Sequence, residues 1–401
     1  MWTPVGWGKR PAGAFIGMKG ASGLFELTQE QQLVQKLTRE FAQREVAPLA
    51  ATLDREHRFP TETVEKLFRY GFMGICCPKL YGGAGGDTVS YVLMVEELAK
   101  ACASTAVITA VHGGLCMYLL NRFGTEVQKA AWLPAMNRDT LCAFALTEPE
   151  AGTDASGIAT TARPTGDGYL LNGTKTFITN GGQAGLYIIL AATAPELGTR
   201  GVTAFLVPSR QTGISFGPPE EKMGLHASAT CEVILQDCLV GPESVLGGVG
   251  QGIKLALSGL DCGRIGIGAQ SVGIAQGAID AAVDYVKQRV QFGKPLSRFQ
   301  NTQFVLASLQ TKVDAARLMV WRAASLRDRG QPFGKEAAMA KLLASETANE
   351  VTRACVQLFG GYGYTSAYPV ERMMRDAKVT EIYEGTSEAQ KMVISRAMGV
   401  R

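Results

Sequence analysis

The chain reads as an α+β protein in three successive parts: helical, β, then helical again. Three observations carry this. Apolar residues recur at steps of three and four before about residue 136, and again beyond residue 250. Short β-rich runs separated by turn residues fill the stretch between them. The length, 401 residues, exceeds what one ordinary core serves, so two or three packed units are expected.

Residues 1–24 are expected to form a disordered extension. The first 25 residues hold no acid and include Lys9, Arg10 and Lys19, but arginine and serine are too sparse for a good mitochondrial presequence. Initiation at Met18 would give the N-terminus MKGASGLFELTQEQ, and that is the preferred reading.

An all-α domain is expected over residues 25–143. Thr28 with Gln31 forms a weak capping box, and Leu33, Leu37, Phe41 and Val46 follow at roughly helical spacing. Pro60 and the cluster YGGAGGD (Tyr81 to Asp87) break the pattern; the cluster lacks phosphate-binding spacing. A small β-barrel or sandwich is expected over residues 144–248. Its strands are Tyr169–Leu171, Leu186–Ala191, Val202–Val207 and Cys231–Leu235, separated by turn signals such as Gly166–Gly168 and Pro218–Pro219. From residue 249 to 401 an antiparallel helical bundle is expected. One stripe carries Val272, Ala275, Ile279, Val283, Val286 and Val290. A second carries Leu306, Leu309, Val313, Ala316 and Val320, and a third Ala340, Leu343, Thr347, Val351, Ala354 and Leu358.

Composition narrows the function classes. The net charge is only +4 and no basic run occurs, so a nucleic-acid partner is not expected, although the balance suits an anionic ligand. No uninterrupted apolar run reaches transmembrane length, so no membrane partner is expected. Nine cysteines without a C-x-x-C read as free thiols in a reducing compartment. The three histidines, His57, His112 and His226, are too far apart to suggest a metal site. No G-x-G-x-x-G or P-loop occurs; the nearest glycine run, Gly247–Gly252, has the wrong spacing and no βαβ unit around it.

Three segments carry the chemistry. EIYEGTSE (Glu381 to Glu388) places Glu384 before a Gly-Thr-Ser turn in an apolar, helix-rich region. FALTEPEAGTD (Phe144 to Asp154), with FITN (Phe177 to Asn180) beyond it, is rich in small polar residues. RVQFGKPLSRFQ (Arg289 to Gln300) joins two helices through a Gly-Lys-Pro turn. Each alone would read as a solvated loop. Together, in this order and spacing from about Phe25 to the end, they closely resemble the acyl-CoA dehydrogenases, and most of all the short-chain (butyryl-type) members.

The resemblance implies a helical domain, a β domain and a C-terminal four-helix bundle. It implies an FAD enzyme that converts a short-chain acyl-CoA to trans-2-enoyl-CoA, as in fatty acid β-oxidation, and passes electrons to an electron-transferring flavoprotein. Glu384 would be the base for the α-proton. Such a proton is weakly acidic, so the carboxylate needs a dry pocket that raises its pKa, and the thioester oxygen needs donors for the developing enolate. By resemblance those donors are the backbone N–H of Glu384 and a ribityl hydroxyl of FAD, and Gly385 lets the backbone approach the substrate.

The cofactor residues also follow from the resemblance. Phe144, Leu146, Thr147, Thr153, Phe177, Ile178 and Thr179 would lie along the flavin. Arg289 would meet the FAD pyrophosphate, where its planar fork suits a diphosphate. Phe292 and Gln300 would serve the adenosine half. These, with Gln357, Gly360 and Gly361, would come from a neighbouring subunit, which implies a homo-oligomer, a tetramer or at least a dimer. Thr386, Ser387 and Glu388 would follow the flavin nucleotide. Two residues depart from the usual pattern: Thr153 stands where serine is usual as an acyl-CoA contact, and Phe177 where tryptophan is common. Both keep the chemical type and read as tuning.

Substrate contacts are implied at Thr153, Asp261, Arg264, Gln270, Thr380 and Gly385. Asp261 and Arg264 could equally be an i,i+3 pair on a helix face. Gln270 with Thr380 and Glu381 would floor the acyl pocket and favour a short chain. The bacterial cytoplasm is the expected location, or the mitochondrial matrix if the source is eukaryotic. The alternatives are a branched-chain dehydrogenase, although isovaleryl-type enzymes carry the base on a different helix, an acyl-CoA oxidase, whose chains are usually much longer, or a non-catalytic DNA-associated flavoprotein of the same fold.

Overall fold

Thr28 opens the first helix as its sequence suggests. Its hydroxyl accepts from the Gln31 N–H at 3.2 Å, and the Gln31 side chain accepts from the Thr28 N–H at 2.9 Å. The computed structural model describes residues 26–155 and 157–400. The extension expected over residues 1–24 lies outside the described residues. Helix α1 (Gln29–Phe41) runs through a π-helical turn into α2 (Ala47–Glu56), followed by α3 (Thr61–Arg69) and α4 (Thr88–Ala101). Helices α5 (Ala103–Thr109) and α6 (Tyr118–Phe123) flank a π-helical segment, Ala110–Met117, and α7 (Glu126–Arg138) closes this part. The stretch Ala103–Phe123 is long and apolar enough to cross a membrane, yet 89% of its most apolar window is buried inside the protein, as in a core helix.

The middle part is one eight-stranded sheet. Its strands are β1 (Cys142–Ala145), β2 (Thr161–Thr165), β3 (Gly168–Thr179), β4 (Leu186–Ala192), β5 (Val202–Pro208), β6 (Ile214–Phe216), β7 (Thr230–Val240) and β8 (Val245–Leu246). The spatial order is β6-β7-β3-β2-β4-β5-β8, with β1 parallel to β4. Every residue of β4 is buried, so both of its faces are covered and it reads as an unbroken apolar run. The sequence showed β3, β4, β5 and β7. It missed β1, β2, β6 and β8, which are too short or too polar to display a period of two; β2, TARPT, buries only Ala162. Strand β1 also begins within the stretch assigned to the helical domain.

The C-terminal part is built on three long helices: α8 (Gly252–Gln288), α9 (Gln300–Asp328) and α10 (Gly334–Phe359). A short hairpin, β9 (Val290–Gln291) with β10 (Lys294–Pro295), joins α8 to α9. Two shorter helices, α11 (Val370–Lys378) and α12 (Ser387–Ala397), complete the bundle. Most of the expected stripes are buried. Two residues leave them: Val290 falls in the hairpin and is 50% exposed, and Leu343 is 38% exposed. Helix α8 crosses α4 closely at Gly273, where a Cβ would stand 2.4 Å from the Glu96 carbonyl oxygen. All nine cysteines are free.

A polar junction locks the three parts together. Arg375 on α11 donates to Asp54 at the end of α2 at 2.7 Å and to Glu371 on its own helix. The neighbouring Asp376 accepts the Leu225 N–H of the β part at 2.6 Å. Burial pushes the Asp376 carboxyl up to about 6, with Arg372 and the Leu225 N–H opposing. Leu225 itself has φ +51, a left-handed conformation that needs such a restraint. Asp376→Ala strands a buried N–H and is expected to cost roughly 2–4 kcal/mol, read as a clear fall in Tm. Lys312→Ala, which removes an exposed ion pair with Glu350, should cost under about 1 kcal/mol. Equal melting of the two variants would contradict this account.

Candidate active site

The turn before α12 has an uncommon backbone. Glu384 has φ +55 and Gly385 φ +93, two successive residues in the left-handed region. A glutamate there is strained and must be held. The Gln390 amide, buried on α12, donates to the Glu384 carbonyl at 3.1 Å and to the Gly385 carbonyl at 2.8 Å. Lys341 Nζ, from α10, donates to the same Gly385 carbonyl at 2.7 Å. A Cβ on Gly385 would stand 2.7 Å from Gln390 Nε2, so this glycine is needed for space as well as for φ. Thr386 then caps α12, its hydroxyl accepting from the Ala389 N–H at 3.3 Å.

The turn lays the Glu384 carboxylate against α8 at Gly263. A Cβ on residue 263 would lie 2.7 Å from Oε2. Arg264, on the next position, is buried and tied to Asp261 Oδ1 at 2.7 Å, the i,i+3 pair that the sequence allowed. Burial pushes Glu384 up to about 7, while the charges of Arg264 and Lys341 pull it back. Glu384 Oε2 and Arg264 Nε are both buried without a protein partner. Two polar atoms left in this state ask for a ligand.

The residues expected at the pocket floor differ in burial and partners. Gln270 is fully buried on α8, but it is not unpaired: it donates to the Ala103 carbonyl at 2.9 Å and accepts from the Tyr383 hydroxyl. Thr380 is also fully buried, its hydroxyl spent on the Ala377 carbonyl at 2.7 Å. Glu381 is half-buried at the 3-10 turn Val379–Glu381, and its carboxylate pairs with Lys378 at 2.6 Å.

A second surface of candidate residues lies on the sheet. Strand β3 loses register with β7 between Lys175 and Ile178, and Phe177 at this bulge has φ +56 and is 64% exposed. Thr179 is half-buried beyond it. Ile178 points the other way, into the core, so its side chain does not join this surface. The loop after β1 is stitched to the bulge. The Thr176 N–H donates to the Thr147 carbonyl at 2.9 Å, and Lys175 Nζ donates to the Leu146 carbonyl at 3.2 Å and to Glu148 Oε1 at 2.6 Å. Glu148 accepts further from the Ala159 and Thr160 N–H groups. Burial pushes Lys175 down to about 8, against the pull of Glu148. Phe144 and Thr147 are half-buried, Leu146 is buried and Thr153 is exposed on the loop.

A third assembly lies where α8 ends. Arg289, Gln357, Gly360 and Gly361 line one cavity of about 500 Å³ with Tyr285 and Tyr362. The Arg289 guanidinium lies 5.5 Å from the Tyr362 ring centroid. Phe292 at the hairpin tip has φ +52 and is 94% exposed, and Gln300 is the exposed first residue of α9; neither lines the cavity. Near the base, Ser387 Oγ is buried without a partner and Glu388 is exposed.

Sequence reasoning missed Lys341, Gln390, Tyr383 and the Lys175–Glu148 pair. One signal was available for Lys341: in EAAMAKLLASETA it falls on the stripe of Ala337, Ala344 and Ala348, a charged residue at an apolar position.

The chain is similar over its length to known proteins. Residues 28–140, 143–238 and 250–399 match the N-terminal, middle and C-terminal domains of acyl-CoA dehydrogenase. It is 50% identical over 372 residues to the short-chain specific acyl-CoA dehydrogenase of Clostridium acetobutylicum, covering 92% of this chain and 98% of that one. The butyryl-CoA dehydrogenase structure from Megasphaera elsdenii aligns with a TM-score of 0.92 at 46% identity, covering 93% and 99% of the two chains. A chain from the structural work on the electron transferring flavoprotein of Acidaminococcus fermentans and flavin-based electron bifurcation aligns equally well, at 47% identity, with a TM-score of 0.92 and coverage of 93% and 99%.

The buried Lys175–Glu148 pair bolts the loop to the bulge. Lys175→Met leaves Glu148 buried without its cation and is expected to cost about 3–5 kcal/mol. The double variant Lys175→Met/Glu148→Leu should recover part of this loss, because no lone charge remains. Thermal unfolding of the three proteins measures the coupling; additive losses would show that the pair is not a unit.

Proposed function

This chain belongs to the acyl-CoA dehydrogenase family, and on that premise we propose that it desaturates a short-chain acyl-CoA to the trans-2-enoyl-CoA with Glu384 as the base. The observation that carries the reading is the Glu384 carboxylate: strained into place on a half-buried residue, with one oxygen buried and unpartnered and a proton affinity near neutrality. A group of that kind can accept an α-proton at working pH. Its own N–H, in the left-handed turn, is a donor for the thioester oxygen. Arg264 and Lys341 favour the ionised carboxylate before the proton arrives. Closing substrate over this buried site excludes water from the base.

The residues fit FAD. The strained, exposed Phe177 with Thr179, Leu146 and Thr147 offers a flat aromatic and polar face for the isoalloxazine. The cavity at Arg289, Gln357, Gly360 and Gly361 suits a diphosphate and adenosine reaching over from a second subunit, with Phe292 and Gln300 beside it. When bound, FAD supplies the acceptor for the hydride from Cβ. Reading the second site as a neighbour's makes the chain a homo-oligomer, a tetramer by family habit. Electrons then leave to an electron-transferring flavoprotein, a partner suggested by the Acidaminococcus work. We place the protein in the bacterial cytoplasm, or in the mitochondrial matrix if the source is eukaryotic. The retained Glu384 disfavours the isovaleryl-type and the non-catalytic DNA-associated alternatives.

Fully buried Gln270 and Thr380 stand at the far end of the acyl pocket in this reading. Each methylene that cannot be buried forfeits roughly 0.8 kcal/mol. Anaerobic flavin bleaching is therefore expected to be most efficient with butyryl-CoA, or a neighbour within two carbons, and to fall steeply by octanoyl-CoA. Gln270→Ala should move the optimum to longer chains; an unmodified enzyme that prefers octanoyl-CoA would contradict the assignment.

Glu384→Gln should keep FAD and acyl-CoA binding while reducing the bleaching rate more than ten-fold. In the unmodified protein the rate should rise with pH and level off above about 7, since only the carboxylate can take the proton. Bleaching in Glu384→Gln above a tenth of the original rate would overturn its role.

A further inference from the structure

Lys341 is buried where a charge costs most. It is fully inaccessible on α10, beside Ala340 and one turn from Ala337 and Ala344. An ammonium carries three donors, yet among the described residues Nζ makes a single hydrogen bond, to the Gly385 carbonyl at 2.7 Å. One neutral acceptor does not offset the desolvation of a cation. Burial accordingly pushes Lys341 down to about 8; Glu384 is the strongest group opposing this, followed by Glu381 and Glu388, whereas Arg264 adds to the fall. A methionine would fill the same alanine-lined space at no electrostatic cost. The lysine therefore asks for a role that packing does not supply.

That role lies in the geometry of the base. Two clamps meet on the Gly385 carbonyl. Gln390 belongs to the same local segment, only five residues along the chain, and would move with the turn. Lys341 comes from α10, a long helix packed directly on α8, and α8 carries Gly263 and Arg264. The lysine ties the carbonyl of the left-handed turn to the framework against which the carboxylate rests, while the neighbouring Tyr383 hydroxyl donates to Gln270 further along α8.

We propose that Lys341 is the positioning residue of Glu384: it pins the Gly385 carbonyl so that the carboxylate stays over Gly263, and its charge, with that of Arg264, keeps this carboxylate ionised in a dry site. The inference rests on the desaturation reading above. Arg264, tied to Asp261, comes from α8 and Lys341 from α10, and these two lower the proton affinity of Glu384. Tyr91 from α4, Cys116 from the π-helical segment and Tyr383 from its own turn are all pushed up, chiefly by burial and further by Glu384, so they stay neutral. Removing the charge of Lys341 must then raise the titration midpoint of Glu384.

The test uses the FAD-loaded protein and two readouts. The first is infrared titration of the Glu384 carboxyl without substrate, its band identified by its loss in Glu384→Gln. The second is the pH profile of bleaching by butyryl-CoA. Lys341→Met and Lys341→Gln should move both midpoints up by about one pH unit, which is about a ten-fold loss of ionised base near neutral pH. Affinity for an unreactive acyl-CoA analogue should hardly change, and Lys341→Arg should restore the midpoint. An unshifted midpoint in either neutral variant overturns the proposal. So does failure of both neutral variants to fold while Glu384→Gln folds normally, because that is how a purely structural lysine behaves. If no acyl-CoA bleaches the unmodified protein, the desaturation reading fails, and the infrared titration still reports on Lys341 and Glu384.

Discussion

The carboxylate of Glu384 rests on bare helix backbone at Gly263, away from water, and the rest of the site is arranged around the cost of that placement. Burial alone would keep a carboxyl protonated and useless as a base. Arg264 and Lys341 bring it back to a midpoint of about 7. Among the described residues neither cation forms a direct ion pair with it, so the carboxylate is favoured by nearby charge while one oxygen keeps no protein partner. The left-handed turn at Glu384 and Gly385 is the steric counterpart of the same arrangement: without it the side chain would not reach α8.

Three of the proposed ligand contacts stand on a left-handed backbone, as Leu225 does at the polar junction. Phe177, Phe292 and Glu384 are non-glycine residues with positive φ. Phe177 sits at a bulge in β3, Phe292 at the tip of the hairpin after α8, and Glu384 before α12. Each aims a side chain where regular structure would not. The strain is carried by rigid neighbours: Lys175 and Glu148 under the bulge, and Gln390 and Lys341 under the base. The junction of Asp54, Arg375, Asp376 and Leu225 fixes the helical and β parts relative to each other.

Much of this architecture was legible in the chain. The stripe at Leu309 to Val320 has the helical period because α9 buries one face, whereas α8 is buried all round over its middle and shows its period towards Val286; β4 and β5 read as apolar runs because the sheet is covered. The short strands β2 and β6 were not legible, since they hold through pairing with β3 and β7 rather than through any pattern of their own. Among candidate site residues, Glu384 stood out through the motif around it. Glu381 looked like part of the same feature, and only its pairing with Lys378 separates the two. Ile178 sits in a motif of cofactor candidates, but the alternation of a strand turns it into the core.

The sequence by itself determined the order of the three parts, the apolar faces that drive their collapse, and the presence of one carboxylate in a glycine-bearing turn. These are properties of neighbouring residues, and hydrophobic period and turn chemistry record them directly. The tertiary structure alone decided which charges surround that carboxylate. Arg264, Lys341 and Glu384 are separated by dozens of residues and meet only when α8, α10 and the turn before α12 pack together. Proton affinity depends on distance and burial, and neither exists until the chain has folded.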